Sequence, residues 1–434
     1  MIWNKIETAS KDELAAVQSE RLVKTVKRVY ENVAYYRKKM DAVGLKPEDI
    51  KTIEDLPKLP FTDKYDIADN YPFGTLAAPL DEIVRLHASS GTTGKPKVAG
   101  YTRNDLDVWN ECVARCLTMA GMTSKDMLHV AFGYGLFTGG LGLHGGSERI
   151  GATTIPVSGG NTERQITILK DFGPTYICCT PSYALYIASE MERLGVKKED
   201  LKLKGGIFGA EPWTDEMKVE IEKKLGIKAY DIYGLTEIMG PGVSMCCDES
   251  NWLHVNADHF VPEIIDPETL KPVKDGAVGE LVFTTITKEG FPLIRYRTRD
   301  LSALDSTPCA CGRTTPRMAR IMGRSDDMLI IRGVNVFPSQ IESVILRFSE
   351  VEPHYMIYVD REGLLDTVKI KVEINAELFS DEIKKIEAVE HKLKHEIESV
   401  IGISASVELV EPRSLPRFEG KAKHVIDSRK LYKK

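Results

Sequence analysis

At 434 residues the chain is too long for one ordinary hydrophobic core, so two or three domains are expected. Apolar residues make up 42% and charged ones 28%, which excludes long disorder, and no run reaches the roughly 20 apolar residues that span a bilayer. A net charge of −6 excludes a general attraction to nucleic-acid backbones, and eight cysteines, several adjacent or one residue apart, suit a reducing compartment rather than a disulfide framework.

Met1 to Ser10 lacks the apolar core of a secretory signal, so the expected address is the cytoplasm, with no membrane partner. Residues 1–80 read as an N-terminal helical segment packed on a larger domain. Leu22, Val26, Val29, Tyr30 and Val33 recur at helical spacing, the pattern ends near Gly44, and Pro57 and Pro60 break it. From about Asp81, short apolar runs alternate with amphipathic stretches. Tyr176–Cys179 reads as a strand, Ser182–Leu194 as a helix and Gly206–Gly209 as a strand. Asp215–Leu225 reads as a helix with Thr214 as N-cap and Gly226 as its stop, and Lys228–Ile232 as the next strand. This alternation predicts an α/β fold. A large domain over residues 81–325 holds mixed or parallel sheets flanked by helices, with active residues in loops beyond the strand ends.

Gly279–Ile286 reads as a strand followed by a polar, Arg-rich loop. Past Gly323 the spacing predicts a strand at Met328–Ile331, a helix at Ser339–Phe348, and alternating strands around Tyr355–Ile374. A helix over Asp381–Ile401 follows, with Ile383, Ile386, Leu393, Ile397 and Val400 on one face and Gly402 ending it. Ala405–Val410 is the last strand, before a basic tail. These elements predict a smaller α+β domain over residues 326–434.

Five segments carry chemistry. The first is Ser89-Ser90-Gly91-Thr92-Thr93-Gly94-Lys95-Pro96-Lys97, in which glycines let amides converge, hydroxyls add donors and lysines bring charge for a polyphosphate. Its glycine spacing is too short for a Walker loop, and taken alone it reads equally well as a surface turn. The second is Tyr233-Gly234-Leu235-Thr236-Glu237 after a strand, where Thr and Glu suit a phosphate oxygen and a Mg²⁺ ion. The third is Tyr296-Arg297-Thr298-Arg299-Asp300, with an acid at a loop start that suits two ribose hydroxyls. The fourth is Gly323-Arg324-Ser325-Asp326-Asp327-Met328 with Arg332-Gly333-Val334-Asn335, and the fifth is Gly420-Lys421 after Pro416-Arg417. Singly, most of these also read as turns or solvated charges.

In this order and spacing the five segments resemble the adenylate-forming superfamily of acyl-CoA ligases, luciferases and peptide-synthetase adenylation domains. Tyr134-Gly135-Leu136-Phe137-Thr138-Gly139-Gly140, Gly209-Ala210-Glu211-Pro212-Trp213 and Leu415-Pro416-Arg417 narrow the resemblance to the phenylacetate–CoA ligase family, over essentially the whole chain. The resemblance implies an AMP-forming acid–CoA ligase that makes an acyl-adenylate from ATP and passes the acyl group to coenzyme A. It implies that Ser89 to Lys97 embrace the ATP phosphates, and that Gly209, Ala210, Glu211, Asp231 and Tyr233 form the adenine slot. Thr236 would contact the α-phosphate, Glu237 would hold Mg²⁺, Asp300 would bind ribose and Arg324 would lie near ribose or phosphate. Asp326 would be the hinge of a small mobile domain and Lys421 the lysine of the first half-reaction, while the loop from Arg332 and Gly333 to Asn335 would face coenzyme A in the second. A homodimer rests on the same resemblance alone.

On residue type, Tyr134 and Phe137 suit either core or an aromatic pocket, with Gly139 and Gly140 leaving room for a ring. The resemblance favours the pocket and makes phenylacetate the leading acid. Cys247, His254, Cys309 and Cys311 form a thiol-and-imidazole set that suits a structural tetrahedral Zn²⁺, with Cys246 a rival for Cys247 and ordinary buried cysteines the plainer alternative. Some members of the family carry a similar set. Cys112, Cys116, Cys178 and Cys179 read as core, and His87 as a hydrogen-bonded structural residue. The rival functions are loading of a carrier-protein thiol and a non-catalytic nucleotide-binding regulator. A dinucleotide-binding dehydrogenase fails, because Gly133-Tyr134-Gly135 does not extend to GxGxxG.

Overall fold

A computed structural model describes residues 1–89, 96–325, 329–332, 334–362, 365–379, 383–418 and 423–429. The Lys11–Asn32 helix starts at a capping box, where Ser10 Oγ accepts the Glu13 N–H and Glu13 Oε2 accepts the Ser10 N–H. Its apolar stripe, Leu22, Val26 and Val29, continues through Val33 into Tyr36 and Met40 of the Ala34–Ala42 helix. This stripe is buried against Ile50, Leu56, Leu59, Val261, Ile286 and Ile294, so the N-terminal segment shares a core with later strands.

Nine strands form one mixed sheet. Its order is Thr153–Ile155, Met127–Val130, Tyr176–Cys179, Gly205–Gly209, Lys228–Leu235, Gly240–Cys247, Ser250–Val255, Arg317–Met318 and Leu304–Asp305. The first five run parallel and the remaining pairings are antiparallel. Met127–Val130 lies between the two strands that follow it in the chain, so the chain steps outward to Thr153–Ile155 and then crosses back to Tyr176–Cys179, from where the order runs the other way. Such a switch point opens a crevice beyond the strand ends. The Arg103–Met119 and Gly139–Ile150 helices pack on each other and on the Gly240–Cys247 strand. Trp109 of the first is fully buried, stacks on Tyr101 with ring centroids 5.1 Å apart, and donates its indole N–H to Pro241 O at 2.8 Å.

Phe260–Ile265, Gly279–Thr285 and Tyr296–Ser302 form an antiparallel meander. The last of these corrects the expected Arg-rich loop. Tyr296, Thr298, Asp300 and Ser302 alternate inward, while Arg297 and Arg299 lie half-buried between them. Arg297 pairs with the fully buried Glu280 at 2.8 Å, so paired arginines disguised the period of a strand.

The chain divides into two compact units. One holds Met1–Cys179, Glu199–Ala210 and Lys228–Ile321; the other holds Thr180–Lys198, Glu211–Ile227 and Met322–Lys434. In the second, strands Ser406–Val410, Leu365–Ile374, Val351–Glu362 and Val425–Asp427 lie side by side in that order. They share a core with the Pro338–Ile345 and Ile383–Ile401 helices. Leu393, Ile397 and Ile401 of the longer helix are buried; Val400, expected inward, is 38% exposed, because a four-residue repeat from Leu393 lands on Ile401. Leu329–Ile331 pairs with Val334–Val336 as a hairpin, and Met328 and Asp381, expected to open elements here, lie outside the described residues.

Candidate active site

Ser89 and Lys97 close the neck of the glycine-rich segment. The Ser89 N–H donates to Lys97 O at 3.0 Å, and the Lys97 N–H donates to Ser89 Oγ at 3.1 Å. Behind them Arg85–Ala88 pairs with Val98–Tyr101. Ser90, Gly91, Thr92, Thr93, Gly94 and Lys95 lie outside the described residues. The Lys97 ammonium forms an ion pair with Glu237 Oε1.

Glu237 sits where it does because the Lys228–Leu235 strand is longer than expected, running through Tyr233-Gly234-Leu235 before the chain turns over Thr236–Met239. Gly234 is required there, since a Cβ would stand 1.8 Å from Gly240 O on the paired strand. Thr236 and Glu237 are both buried, and Thr236 Oγ1 lies 3.4 Å from Thr138 Oγ1. Tyr296 donates its hydroxyl to Glu237 Oε1 at 3.2 Å. Burial pushes the Glu237 carboxyl up, but the adjacent Lys97 ammonium outweighs it, leaving the group ionised and below the usual carboxylate range.

The carbonyls of the turn are held from beneath by two side chains. Tyr101 Oη donates to Met239 O at 2.9 Å and lies 3.4 Å from Thr236 O. Lys288 Nζ donates to Glu237 O at 3.0 Å and to Ile238 O at 2.8 Å. Lys288 is fully buried with its ammonium 4.9 Å from the centre of the Tyr101 ring. Burial pushes its pKa down to about 8 despite the pull of Asp105 and Glu237. Asp105 anchors the same loop by accepting the Glu289 and Gly290 N–H groups at 2.7 and 2.9 Å.

Tyr233 donates its hydroxyl to Asp300 Oδ2 at 2.6 Å and stacks on Phe283, so both sheets meet at this pair. Gly209 ends its strand against Ile232 O, and Ala210 takes a left-handed backbone with φ 71°. Asp231 accepts from Arg320 Nε at 3.1 Å. Glu211, Arg324 and Arg332 belong to the second unit. There Glu211 Oε1 accepts the Ser182 N–H at 2.8 Å, Arg324 lies in the short strand Gly323–Arg324, and Arg332 donates to Ser404 Oγ and O at 2.7 Å each. Gly333, Asp326 (expected as the hinge) and Lys421 lie outside the described residues.

Beyond the Met127–Val130 strand, Tyr134 Oη lies 3.1 Å from His144 Nδ1, and Phe137 is 43% exposed. Gly139 and Gly140 are closely packed. A Cβ at Gly139 would stand 2.9 Å from the Phe137 ring, and one at Gly140 2.9 Å from Gly133 O. Tight packing at the start of a helix therefore demands these glycines. His87, as expected, is buried with Nδ1 3.0 Å from Leu136 O.

The Cys-and-His set converges. One ligand atom from each of Cys247, His254, Cys309 and Cys311 lies within 4.8 Å of all the others. Cys247 Sγ is 3.8 Å from Cys309 Sγ, and Cys311 Sγ is 3.4 Å from His254 Nε2. A tetrahedral ion with roughly 2.3 Å sulfur bonds separates its sulfurs by roughly 3.8 Å, whereas a disulfide holds them at roughly 2.05 Å. The donor set fits zinc. Cys246 instead accepts the Asp231 N–H at 3.1 Å and stands outside the set. Nearby, buried Arg313 pairs with Glu7 at 2.7 Å and tethers the N-terminal turn to this region.

Residues 7–287 match the family model of AMP-binding enzymes, and residues 333–429 match that of the AMP-binding enzyme C-terminal domain. The phenylacetate–coenzyme A ligase of Escherichia coli is 54% identical over 428 residues, which is 98% of this chain and 97% of that protein. The phenylacetate–coenzyme A ligase of Thermus thermophilus is 50% identical over 444 residues, 99% of this chain and 100% of that one. The chain belongs to the phenylacetate–coenzyme A ligase family of AMP-binding enzymes. A 2-hydroxyisobutyryl-CoA ligase, solved in its postadenylation state with R3-HIB-AMP, superposes with a TM-score of 0.92 at 29% identity, covering 98% of this chain and 91% of the other. In this member of the family, sequence reasoning missed Tyr101, Lys288 and Tyr296 as parts of the site. A tyrosine in a short strand and a lysine between Thr287 and Glu289 carry no local signal, and Tyr296 was read only as part of the Asp300 motif.

Proposed function

We propose that the chain activates phenylacetate with ATP as an acyl-adenylate and transfers the acyl group to coenzyme A, releasing AMP. The observation that carries this reading is the cluster of Lys97, Glu237, Thr236 and Thr138 at one spot beyond a parallel strand, beside the neck of a glycine-rich segment. Identity of 50–54% to phenylacetate–coenzyme A ligases over nearly the whole chain supports the choice of acid.

A carboxylate attacking a triphosphate is anion meeting anion, so positive groups must gather where charge develops. Lys97 and the amides of the Ser89–Lys97 segment take the leaving phosphates, and Thr236 donates to the α-phosphate. Glu237, ionised and acceptor-rich, is the residue that would hold Mg²⁺, which when bound neutralises phosphate charge. Asp300, oriented by Tyr233, accepts from the ribose hydroxyls, and Gly209, Ala210, Glu211 and Asp231 flank the base. Lys421 assists adenylation, Arg324 lies near the ribose or phosphate, and Asp326, between the two family-model matches, is the hinge. Arg332 and Gly333 face coenzyme A during transfer. Tyr134 and Phe137 wall the acid site. Cys247, His254, Cys309 and Cys311 hold a structural zinc, with no open position for chemistry. Composition supports a cytoplasmic address, and a homodimer is retained on family likeness alone.

The test is pyrophosphate release with ATP, Mg²⁺ and a panel of acids, with and without coenzyme A. Release fastest with phenylacetate and accelerated by coenzyme A is expected. Release indifferent to coenzyme A would assign another acceptor, and no release with any acid would overturn the reading.

A further inference from the structure

One buried cation has no part in the reaction as described above. Lys288 is 1% exposed, and its ammonium donates to two successive carbonyls, those of Glu237 and Ile238, at 3.0 and 2.8 Å. Tyr101 takes the flanking pair, donating to Met239 O at 2.9 Å and standing 3.4 Å from Thr236 O. Four consecutive carbonyls of a single turn thus rest on two side chains, and Ile238 and Met239 are fully buried. A turn not continued into a helix leaves its carbonyls without intrachain partners, and buried carbonyls require partners. A neutral donor would satisfy them. An ammonium does more, because charge-assisted bonds are shorter and stronger, and its charge aligns the peptide dipoles on which Glu237 and Thr236 are mounted.

The clamp is itself braced. Asp105 fixes the loop carrying Lys288 through the N–H groups of Glu289 and Gly290, and Thr102 Oγ1 donates to Glu289 Oε2 at 2.9 Å. Tyr101 and Asp105 flank Thr102 at the start of one helix, so strand, helix and loop converge under the turn. The Glu237 carboxylate itself is held by Lys97 and Tyr296.

We propose that Lys288, with Tyr101, is the positioning element of adenylation: it clamps the Thr236–Met239 turn so that the Thr236 hydroxyl and Glu237 carboxylate face the nucleotide, without itself touching substrate. The inference rests on the roles given above to Thr236 and Glu237. It predicts that loosening the clamp impairs the step that uses them and spares the later one.

The experiment compares Lys288→Met, Tyr101→Phe and Glu237→Gln in the full-length protein. Three quantities are read for each: ATP–pyrophosphate exchange over a Mg²⁺ titration, thioester formation from supplied acyl-adenylate and coenzyme A, and thermal unfolding. Lys288→Met is expected to slow exchange by about 100-fold and Tyr101→Phe by about tenfold, both with a raised Mg²⁺ requirement. Thioester formation should stay within about threefold of wild type, and neither change should add much to Glu237→Gln in the double variants, as for residues acting as one unit. If Glu237→Gln leaves exchange intact, the reading of Glu237 falls, whatever the clamp does. If Glu237→Gln abolishes exchange while Lys288→Met keeps it within about twofold, the clamp proposal is overturned. Equal loss of both half-reactions would also overturn it, since that marks a merely structural lysine. Should Lys288→Met fail to fold, Tyr101→Phe decides by the same outcomes.

Discussion

His129 lies in the Met127–Val130 strand with no solvent exposure, Nε2 2.5 Å from Gln165 Oε1, and Nδ1 without a hydrogen-bond partner. Burial holds its pKa down to about 4 against the ordinary 6.5, so the folded protein keeps the ring neutral. The unfolded chain binds the proton first as pH falls. The stability this histidine contributes is therefore complete above about pH 6.5 and is lost progressively toward pH 4. Between pH 7 and pH 5 that loss amounts to about 2 kcal/mol. Urea unfolding at the two pH values should show it in wild type and not in His129→Gln; parallel behaviour of the two proteins would refute it. At this scale the sequence was readable where several motifs occur in a fixed order. Glu237, Asp300 and the Cys-and-His set stand out only through the order of the motifs and the family resemblance, since alone each also reads as a solvated turn acid or as ordinary buried cysteines. Lys288 and Tyr101 do not, because their importance lies in which carbonyls the tertiary fold brings above them.

The Asp215–Leu225 helix has the bounds expected of it, with Thr214 Oγ1 accepting the Met217 N–H at 3.2 Å and Gly226 left-handed at φ 68°. Thr214→Ala removes the cap and should cost about 1 kcal/mol, seen as a lower denaturation midpoint with an unchanged slope. A change under about 0.3 kcal/mol would mean that packing alone sets this end. Caps and stops are local chemistry, which is why such elements were legible. Tyr296–Ser302 was not, because its inward face is polar and its arginines are neutralised by Glu280 across the strand pair. Hydrophobic periodicity cannot register a strand whose buried side carries Thr, Asp and Ser.

The proposed division of the two half-reactions sets the predictions for the whole molecule. Lys421 lies within the match to the C-terminal family model, whereas Thr236 and Glu237 lie within the match to the larger one. Lys421→Ala should abolish acid-dependent pyrophosphate exchange and leave transfer from supplied acyl-adenylate near wild type. Equal loss of both would dissolve the division of labour. The proposed metal centre bears on stability instead. Its four side chains come from the Gly240–Cys247 and Ser250–Val255 strands and the Cys309–Cys311 turn, which a bound ion would tie together. Protein purified without chelator should contain one zinc per chain, and stripping it should lower the melting temperature by roughly 5 °C while activity well below that temperature persists. Zinc well under one equivalent would count against the assignment.

Trp109 offers a use unconnected with stability. Its ring stacks on the same Tyr101 that supports the Thr236–Met239 turn, and it is sealed from solvent. The chain has only three other tryptophans, at positions 3, 213 and 252. Replacing those three leaves a single emitter, optically excited through an adjoining tyrosine, beside the Thr236–Met239 turn. Its brightness and wavelength would follow the turn directly, giving the protein an internal light signal for ATP arrival with no dye attached.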